Sequence, residues 1–237
     1  MKPAFLAAAI LVPLCAGSTH AGITYPSALL FNPGYAIGQP AGFPVHDVPP
    51  TVGGPLQIIG TVYAVNAPFD DLLPAGPYEM TYVYAGATCV GWGFWDNIPC
   101  SGGIYGYFTG GTLSVYLDPT PDADFSNSAT FTDGELVLQA DINGISLLDD
   151  DPYIACPPAG DSPDMTMSFR FSGGAWFYRV VTDGIGYPGV CHGELDDTVP
   201  PDLQAAGFTF RVDGNLDVFE QIAVRPSTWG YVKSLYR

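Results

Sequence analysis

The chain has 237 residues, with 24 acidic against 7 basic side chains and a formal net charge of −17. A protein this acidic repels nucleic acid and anionic membrane surfaces, which excludes both as partners. Hydrophobic residues make up 47% of the chain and aromatic residues 14%, enough to build a core, so we expect a folded protein rather than a disordered one.

Residues 1–21 form a predicted secretory signal peptide. Met1 and Lys2 supply a positive charge, the run Ala4–Gly17 is almost entirely apolar, and Ala21 is a small residue at the expected cleavage position. The apolar run is too short for a helix that spans a hydrocarbon core of about 30 Å, and no later segment reaches the ~20 apolar residues needed. We therefore expect a secreted or cell-envelope protein without a transmembrane segment after the signal is removed.

Three regions are predicted to follow the signal peptide. Residues 22–55 are rich in Pro and Gly and are expected to form an extended arm that packs along the sheets, or a disordered leader. Residues 56–224 are expected to form a single β domain, and residues 225–237 a C-terminal tail. The sequence contains no repeat of fixed period and no stalk that would separate two domains.

Hydrophobic and polar side chains alternate along much of the domain, which is typical of half-buried strands. In the clearest case Met165, Met167, Phe169 and Phe171 share one face, and polar residues occupy the other. Further strands are predicted at residues 57–66, 78–85, 104–108, 113–117, 135–142, 175–181 and 208–212.

Glycine-containing pairs are predicted to be hairpin turns between these strands, because they adopt the positive φ angles that tight hairpins need. The pairs are Gly110-Gly111, Asn143-Gly144, Gly173-Gly174 and Asp213-Gly214. With 29 Gly and 23 Pro, the chain has few places for a long helix. We expect an all-β protein, either an antiparallel β-sandwich of jelly-roll type or a meander, with long Pro- and Gly-rich loops.

Four cysteines remain after removal of the signal peptide, namely Cys89, Cys100, Cys156 and Cys191. An even number in an exported chain predicts two disulfides, with three connectivities possible. Pairing Cys89 with Cys100 and Cys156 with Cys191 is favoured, because neighbours along the chain close the shorter loops. The sequence lacks the paired C-x-x-C spacing of a zinc site, so a structural role is expected rather than metal binding through cysteine.

The segment between Cys89 and Cys100 is a candidate carbohydrate site. It concentrates Trp92, Trp95, Asp96 and Asn97, and sugars are often bound by an indole ring against the C–H face with carboxylate and amide groups on the hydroxyls. The alternative is that these aromatic side chains alternate into the core of a sheet.

An acidic loop is a candidate calcium site. Asp118, Asp122, Asp124 and Asp133 place oxygen ligands at intervals that resemble a calcium loop. The glycine and the bidentate glutamate of an EF-hand are absent, so only a looser Ca²⁺ site or a solvated turn is expected. Similar but weaker hints lie at residues 149–151 and 213–217.

The sequence contains no recognisable catalytic motif. His46 and His192 are not part of H-E-x-x-H or adjacent to a Ser or Cys nucleophile, and G-x-S-x-G is absent. A glycosidase needs only two facing carboxylates, and Asp96 or Glu79 would be the first to test. We expect no catalytic residues, and an enzyme stays the less favoured alternative.

The C-terminal tail reads Arg-Pro-Ser-Thr-Trp-Gly from Arg225 and continues to Arg237. It resembles the sorting tag of bacterial PEP-CTERM proteins, in which a Pro-containing motif precedes Ser/Thr-Trp-Gly. Members of that family continue into an apolar stretch and end in several arginines, whereas this chain does not. Residues 122–138 also resemble β-rich exported proteins of that type. The resemblance implies an envelope or matrix protein of a Gram-negative bacterium.

Two functions follow as hypotheses. The first is a non-catalytic extracellular binding or structural module that recognises a polysaccharide or another surface protein, with Ca²⁺ supporting the fold or the contact. The second is a carbohydrate-active hydrolase on a β-sandwich, which requires two carboxylates about 5–9.5 Å apart in an aromatic-lined cleft.

Overall fold

The computed structural model describes residues 23–38, 48–97, 101–148, 164–196 and 198–220, and most of their regular structure is antiparallel β-sheet. The strands are β1 Thr24–Ile37, β2 Pro55–Val65, β3 Glu79–Asn97, β4 Ser101–Thr109, β5 Thr112–Asp118, β6 Glu135–Leu148, β7 Asp164–Gly173, β8 Val181–Thr182, β9 Ile185–Gly186, β10 Pro188–Asp196 and β11 Phe208–Phe219. One short helix, α1, spans Pro201–Ala205, and 3₁₀ turns lie at Asp70–Leu72, Ser128–Phe131 and Phe177–Arg179. The prediction of an all-β protein is confirmed.

Alternation of side chains places the core on one face of each long strand. In β7, Met165, Met167, Phe169 and Phe171 are buried, whereas Ser168 between them is exposed. Successive side chains of an extended strand point to opposite faces, so the period of two in the sequence becomes one buried and one open face. The strand predicted at residues 165–171 is confirmed.

The long strands form a meander that closes on itself. β1 pairs with β2 and β2 with β3; β4 and β5 lie end to end along β3, and both also pair with β6. The order continues through β7, β10 and β11, and β11 returns to pair with β1. This order of strands is that of a meander, which is one of the two predicted folds. A jelly-roll sandwich, whose strands cross between two sheets, is not what the described residues form.

The first strand corrects the prediction of an arm at residues 22–55. Thr24–Ile37 is a full member of the sheet, with β11 on one side and β2 on the other. Ala28, Leu29 and Ala36 are completely buried in the core. Residues 39–47 of the predicted arm lie outside the described residues.

Two of the four predicted glycine turns lie within long strands, and a third forms a kink instead of a hairpin. Gly110 and Gly111 have φ angles of +73° and +86° and form a kink between β4 and β5, which continue along the same neighbour β3. The pair at residues 143–144 is an irregularity inside β6, and the pair at residues 213–214 lies inside β11. Gly174, with φ +96°, does follow the end of β7 as predicted. Glycine supplies the bends that a closing sheet needs, so it marks bulges here as often as turns.

The strand predicted at residues 175–181 is wrong, because a 3₁₀ turn occupies Phe177–Arg179. The backbone N–H of Trp176 donates to the carbonyl of Val137, and its indole stacks on Phe69 at 5.9 Å between ring centroids. Burial of the indole therefore determines the local backbone, in place of a ladder of strand hydrogen bonds.

Two clusters of apolar side chains lie on opposite faces of the sheet. Ile58 and Ile59 are consecutive in β2 and each is 1% exposed, yet Ile58 belongs to the large interior cluster and Ile59 to a smaller outer one. The outer cluster also contains Phe131, Leu203 and Phe208, contributed by a 3₁₀ turn, α1 and β11. The outer face is therefore covered in this region and open elsewhere.

A candidate ligand cleft on the outer face

A cleft of about 720 Å³ opens on the sheet where β1, β2, β7, β10 and β11 meet. The strands contribute polar side chains, an exposed aromatic ring and bare backbone to its lining. The lining residues are Ser27, Leu30, Phe31, Asn32, Tyr63, Asp164, Met165, His192, Gly193, Glu194, Asp213, Gly214 and Asn215.

Strand β10 carries the centre of the cleft. His192 and Glu194 are exposed and alternate with the buried Cys191, Gly193 and Leu195. Alternation therefore directs the imidazole and the carboxylate outward while the same strand contributes to the core. No strand and no binding site is predicted from the sequence pattern of this segment.

Three carboxylates lie side by side across neighbouring strands. Glu194 is directly opposite Asp164 of β7 on one side and Asp213 of β11 on the other. His192 is likewise opposite Asn215. Directly opposed residues have Cβ atoms about 4.5–5.5 Å apart, so these side chains form one polar row across the sheet.

Two glycines make the floor of the cleft. Gly193 and Gly214 are directly opposite each other in β10 and β11. A Cβ on Gly214 would overlap the carbonyl oxygen of His192, and a Cβ on Gly193 would overlap the carbonyl oxygen of Asp213. The close approach of the two backbones therefore requires glycine and leaves room between the surrounding side chains.

A hydrogen-bonded network fixes the β1 rim of the cleft. Ser27 has a φ of +51°, and its N–H donates to the Asp217 carboxylate at 2.7 Å. Asn215 Nδ2 donates to the same carboxylate oxygen at 3.0 Å and to the Ser27 hydroxyl at 3.3 Å. These bonds stabilise a backbone conformation that a non-glycine residue rarely adopts, and they hold the rim in one position.

Strand β2, which neighbours β1, presents an aromatic ring to solvent at the edge of the cleft. Tyr63 on β2 is 61% exposed, and Asn32 donates from Nδ2 to the hydroxyl of Thr61 at 3.0 Å. Exposure of so large a ring beside a polar cleft is the arrangement expected of a stacking surface for a ligand.

The electrostatic character of the cleft is acidic. Its described lining contains three carboxylates and no lysine or arginine. Arg211 lies next to the cleft, 3.6 Å from the Asp196 carboxylate and 3.7 Å from that of Asp213. A hydrogen bond from Thr198 and the charge of Arg211 lower the pKa of Asp196, so that carboxylate stays ionised and keeps Arg211 engaged.

The predicted tryptophan platform is only partly described. Trp92 is 39% exposed and lies opposite Gly106, on the same face as the buried Ile104 and Phe108. The structure therefore assigns Trp92 to the inward side of the sheet, at its end. The side chains of Trp95, Asp96 and Asn97 lie outside the described residues, so their part in the platform stays a prediction.

The predicted calcium loop brings three of its four aspartates together. Ligand oxygens of Asp118, Asp122 and Asp133 lie within 4.8 Å of one another. Partial desolvation and the negative charges of Asp122 and Asp118 raise the pKa of Asp133. Asp124 is not part of this group, because its carboxylate accepts a hydrogen bond from the N–H of Ser126 at 2.8 Å and so stabilises a turn.

The carboxylate proposed first for a hydrolase has a different role. Glu79 Oε2 accepts hydrogen bonds from the N–H groups of Asp122 at 3.1 Å and Ala123 at 2.8 Å. It therefore holds the acidic loop in place. The acidic residues 149–151 and His46, which the sequence also suggested, lie outside the described residues. Part of the segment 213–217 lines the cleft.

The disulfide predictions are not confirmed. Cys89 and Cys191 are both buried and carry free thiols. Cys100, the partner predicted for Cys89, lies outside the described residues. Cys156, the partner predicted for Cys191, lies outside the described residues.

Comparisons with known proteins assign no family. No protein-family model matches the sequence, and neither a curated protein nor a solved structure resembles the chain significantly. In the described part of the chain, no helix has the length and apolar character needed to cross a membrane. The function must therefore be inferred from the cleft and the loops themselves.

Proposed function

We propose that the protein is an exported, non-catalytic binding module that holds a polysaccharide in the outer cleft. The observation that supports it is the cleft of about 720 Å³, which is lined by an exposed tyrosine and by a row of polar side chains on neighbouring strands. Clefts of this size, with a few convergent polar groups, are the usual form of small-ligand sites.

The chemistry of the lining favours a ligand rich in hydroxyl groups. The carboxylate groups of Asp164, Glu194 and Asp213 offer acceptors, whereas the amides of Asn32 and Asn215 both donate and accept hydrogen bonds. A ligand that satisfies such a row must carry many donors and also offer acceptors. Sugars meet both conditions, and their C–H faces pack against an aromatic ring such as Tyr63.

Removal of the aromatic ring or of the central charge is expected to weaken glycan binding. Tyr63→Ala and Glu194→Gln should each lower affinity for a bound oligosaccharide by about tenfold, equivalent to roughly 1.4 kcal/mol. Calorimetric titration of the mature protein against a panel of neutral, acidic and amino-sugar oligosaccharides measures this. Tyr178→Ala is a matched control, because Tyr178 is 62% exposed but does not line the cleft.

The same panel of oligosaccharides distinguishes binding in the cleft from binding at Trp92 in the hairpin of β3 and β4. If Trp92→Ala abolishes binding while Tyr63→Ala does not, the site moves to the hairpin and the cleft assignment fails. A chain that binds none of the oligosaccharides would contradict the proposed function.

A hydrolase is the second candidate, and one observation favours it. Asp164, Glu194 and Asp213 are not at loop tips but lie on three adjacent strands within one cleft. Strands are about 4.8 Å apart, so carboxylates one or two strands away fall near the separations used by retaining and inverting glycosidases. Release of reducing ends by the wild type, abolished in Glu194→Gln, would favour the hydrolase over the binding module.

We also propose that calcium stabilises the loop formed by Asp118, Asp122 and Asp133. Millimolar Ca²⁺ should raise the thermal midpoint, because an ion held only by the folded state stabilises it by about 2.7 kcal/mol at a hundred times its Kd. Acid should remove the effect, since protonation of Asp133 as pH falls through its raised pKa competes with the ion. Scanning calorimetry with Ca²⁺ and with a chelator measures the shift.

Two variants make the calcium test specific. Asp122→Asn should lose the shift, whereas Asp141→Asn, which changes an exposed aspartate on β6, should keep it. Equal midpoints with and without Ca²⁺ in the wild type would contradict a calcium site in this loop.

A further inference from the structure

A small internal cavity lies beneath the cleft and is lined by three sulfur-bearing side chains. Met165, Met167 and Cys191 are at most 4% exposed and all border this cavity of about 10 Å³. Cys191 of β10 lies directly opposite Met167 of β7, and Met165 lies opposite Gly193, which has no side chain to separate them. Opposed side chains start about 4.5–5.5 Å apart, so the thiol and the two thioethers can converge on one point.

A buried hydroxyl in the same cavity supports the presence of a bound species. Tyr84 is completely buried, and its hydroxyl has no hydrogen-bond partner among the described residues. Leaving a buried hydroxyl unpaired is costly, so native proteins almost always provide such a group with a partner. Tyr84 lines the cavity together with the three sulfur side chains.

The cavity is also within reach of solvent through the cleft. Phe31, Met165 and Asp213 line both the cavity and the outer cleft. A single layer of side chains therefore separates the two spaces. An ion that enters the acidic cleft has only that layer to pass.

We propose that Cys191, Met165 and Met167 form a binding site for a soft monovalent metal ion of the Cu(I) class. Thiolate and thioether ligands select Cu(I), whereas Ca²⁺ and Mg²⁺ need about six or more oxygen ligands. Among the described lining residues, only Asp213, Tyr82 and Tyr84 carry side-chain oxygens, too few for such a cage. A cavity of about 10 Å³ has room for one water-sized species, which suits a single ion. The positive charge of the ion and the negative charge of the thiolate cancel, so the complex that forms in the apolar interior is neutral.

Binding is an exchange of a proton for the ion. The Sγ–H bond of Cys191 breaks, the proton leaves to solvent, and the sulfur electron pair bonds the metal without any change of oxidation state. One proton is released for each ion bound, because the thiolate and not the thiol is the metal ligand. The thiolate is a stronger acceptor than the thiol, so we expect the Tyr84 hydroxyl, which has no partner among the described residues, to donate to it in the metal complex.

Titration of the mature protein with Ag(I), and with Cu(I) under anaerobic chelator competition, tests the site. The wild type should bind one ion tightly, release one proton and gain sulfur-to-metal absorption in the near ultraviolet. Cys191→Ser should lower affinity by more than about 100-fold, and Met167→Leu by about tenfold. Binding by the other thiols is common to the wild type and to these two variants, and it is subtracted.

The variant Tyr84→Phe tests whether Tyr84 supports the metal site or has only a structural role. It should weaken the metal affinity severalfold while the melting midpoint of the metal-free protein stays the same or rises, because the unpaired hydroxyl is gone. Tyr84→Phe and Met167→Leu conserve volume, so they keep the test valid where Cys191→Ser does not fold.

The matched controls are a cysteine and a methionine that are buried elsewhere in the core. Cys89 and Met80 are 1% and 2% exposed but do not line the cavity, so Cys89→Ser and Met80→Leu should leave the tight site unchanged. Undiminished affinity in Cys191→Ser, or an equal loss in Cys89→Ser, overturns the proposal. Mass spectrometry of the non-reduced chain that finds Cys191 bonded to Cys156 also overturns it, because the thiol ligand would not exist.

Discussion

Replacing Phe169 with alanine is expected to lower the free energy of unfolding by about 3–5 kcal/mol. Phe169 is completely buried in the interior cluster, and its ring makes an edge contact with Phe171 at 5.3 Å between centroids. Truncation removes apolar contacts and leaves a cavity that a closed sheet cannot collapse to fill. Urea denaturation with an unchanged m value measures the loss.

The neighbouring residue is the control for this experiment. Ser168 lies on the same strand but on the exposed face, so Ser168→Ala should change stability by less than about 0.5 kcal/mol. Equal losses in the two variants would mean that β7 does not have one buried and one open face, and the assignment of interior and exterior would fail with it.

Gly214→Ala is expected to cost about 2–3 kcal/mol, because the added methyl group must displace backbone rather than a flexible side chain. Its Cβ would overlap the His192 carbonyl oxygen and lie 2.7 Å from the Cα of Gly193. Relief of this overlap requires β10 and β11 to separate at the floor of the cleft. Chemical denaturation measures the loss of stability.

Gly91→Ala is the matched control, because a Cβ there meets nothing within 4 Å. It should leave stability within about 0.5 kcal/mol of the wild type or raise it slightly, since alanine restricts the unfolded chain. A Gly214→Ala variant as stable as Gly91→Ala would contradict the close approach of the two strands.

Strands with large inward side chains could be predicted from the sequence, and those with small ones could not. The Met and Phe residues of β7 make its alternation plain, whereas the inward positions of β10 include Gly189 and Gly193. Gly189 is required because a Cβ would collide with the ring of Phe169 on the adjacent strand. A large side chain on one strand therefore requires a glycine on the adjacent strand, and the hydrophobic alternation of that adjacent strand is lost.

The candidate cleft was largely beyond prediction because its parts are distant in sequence. Tyr63, Asp164 and His192 come together only through strand register. The acidic loop is the opposite case: Asp118, Asp122 and Asp133 lie within one short segment, so their grouping could be anticipated, while the capping role of Asp124 depends on a turn that the sequence pattern did not show. Local clusters are thus predictable, and sites assembled across a sheet are not.

Closure of the sheet has a consequence for the order in which the chain can fold. The seam joins β1 to β11, with Thr24 opposite Phe219, so one edge of the first strand stays unpaired until the last described strand has been made. Contacts this distant along the chain slow folding. Because synthesis adds only about 5–20 residues per second, the closed sheet forms well after its first strands have been made.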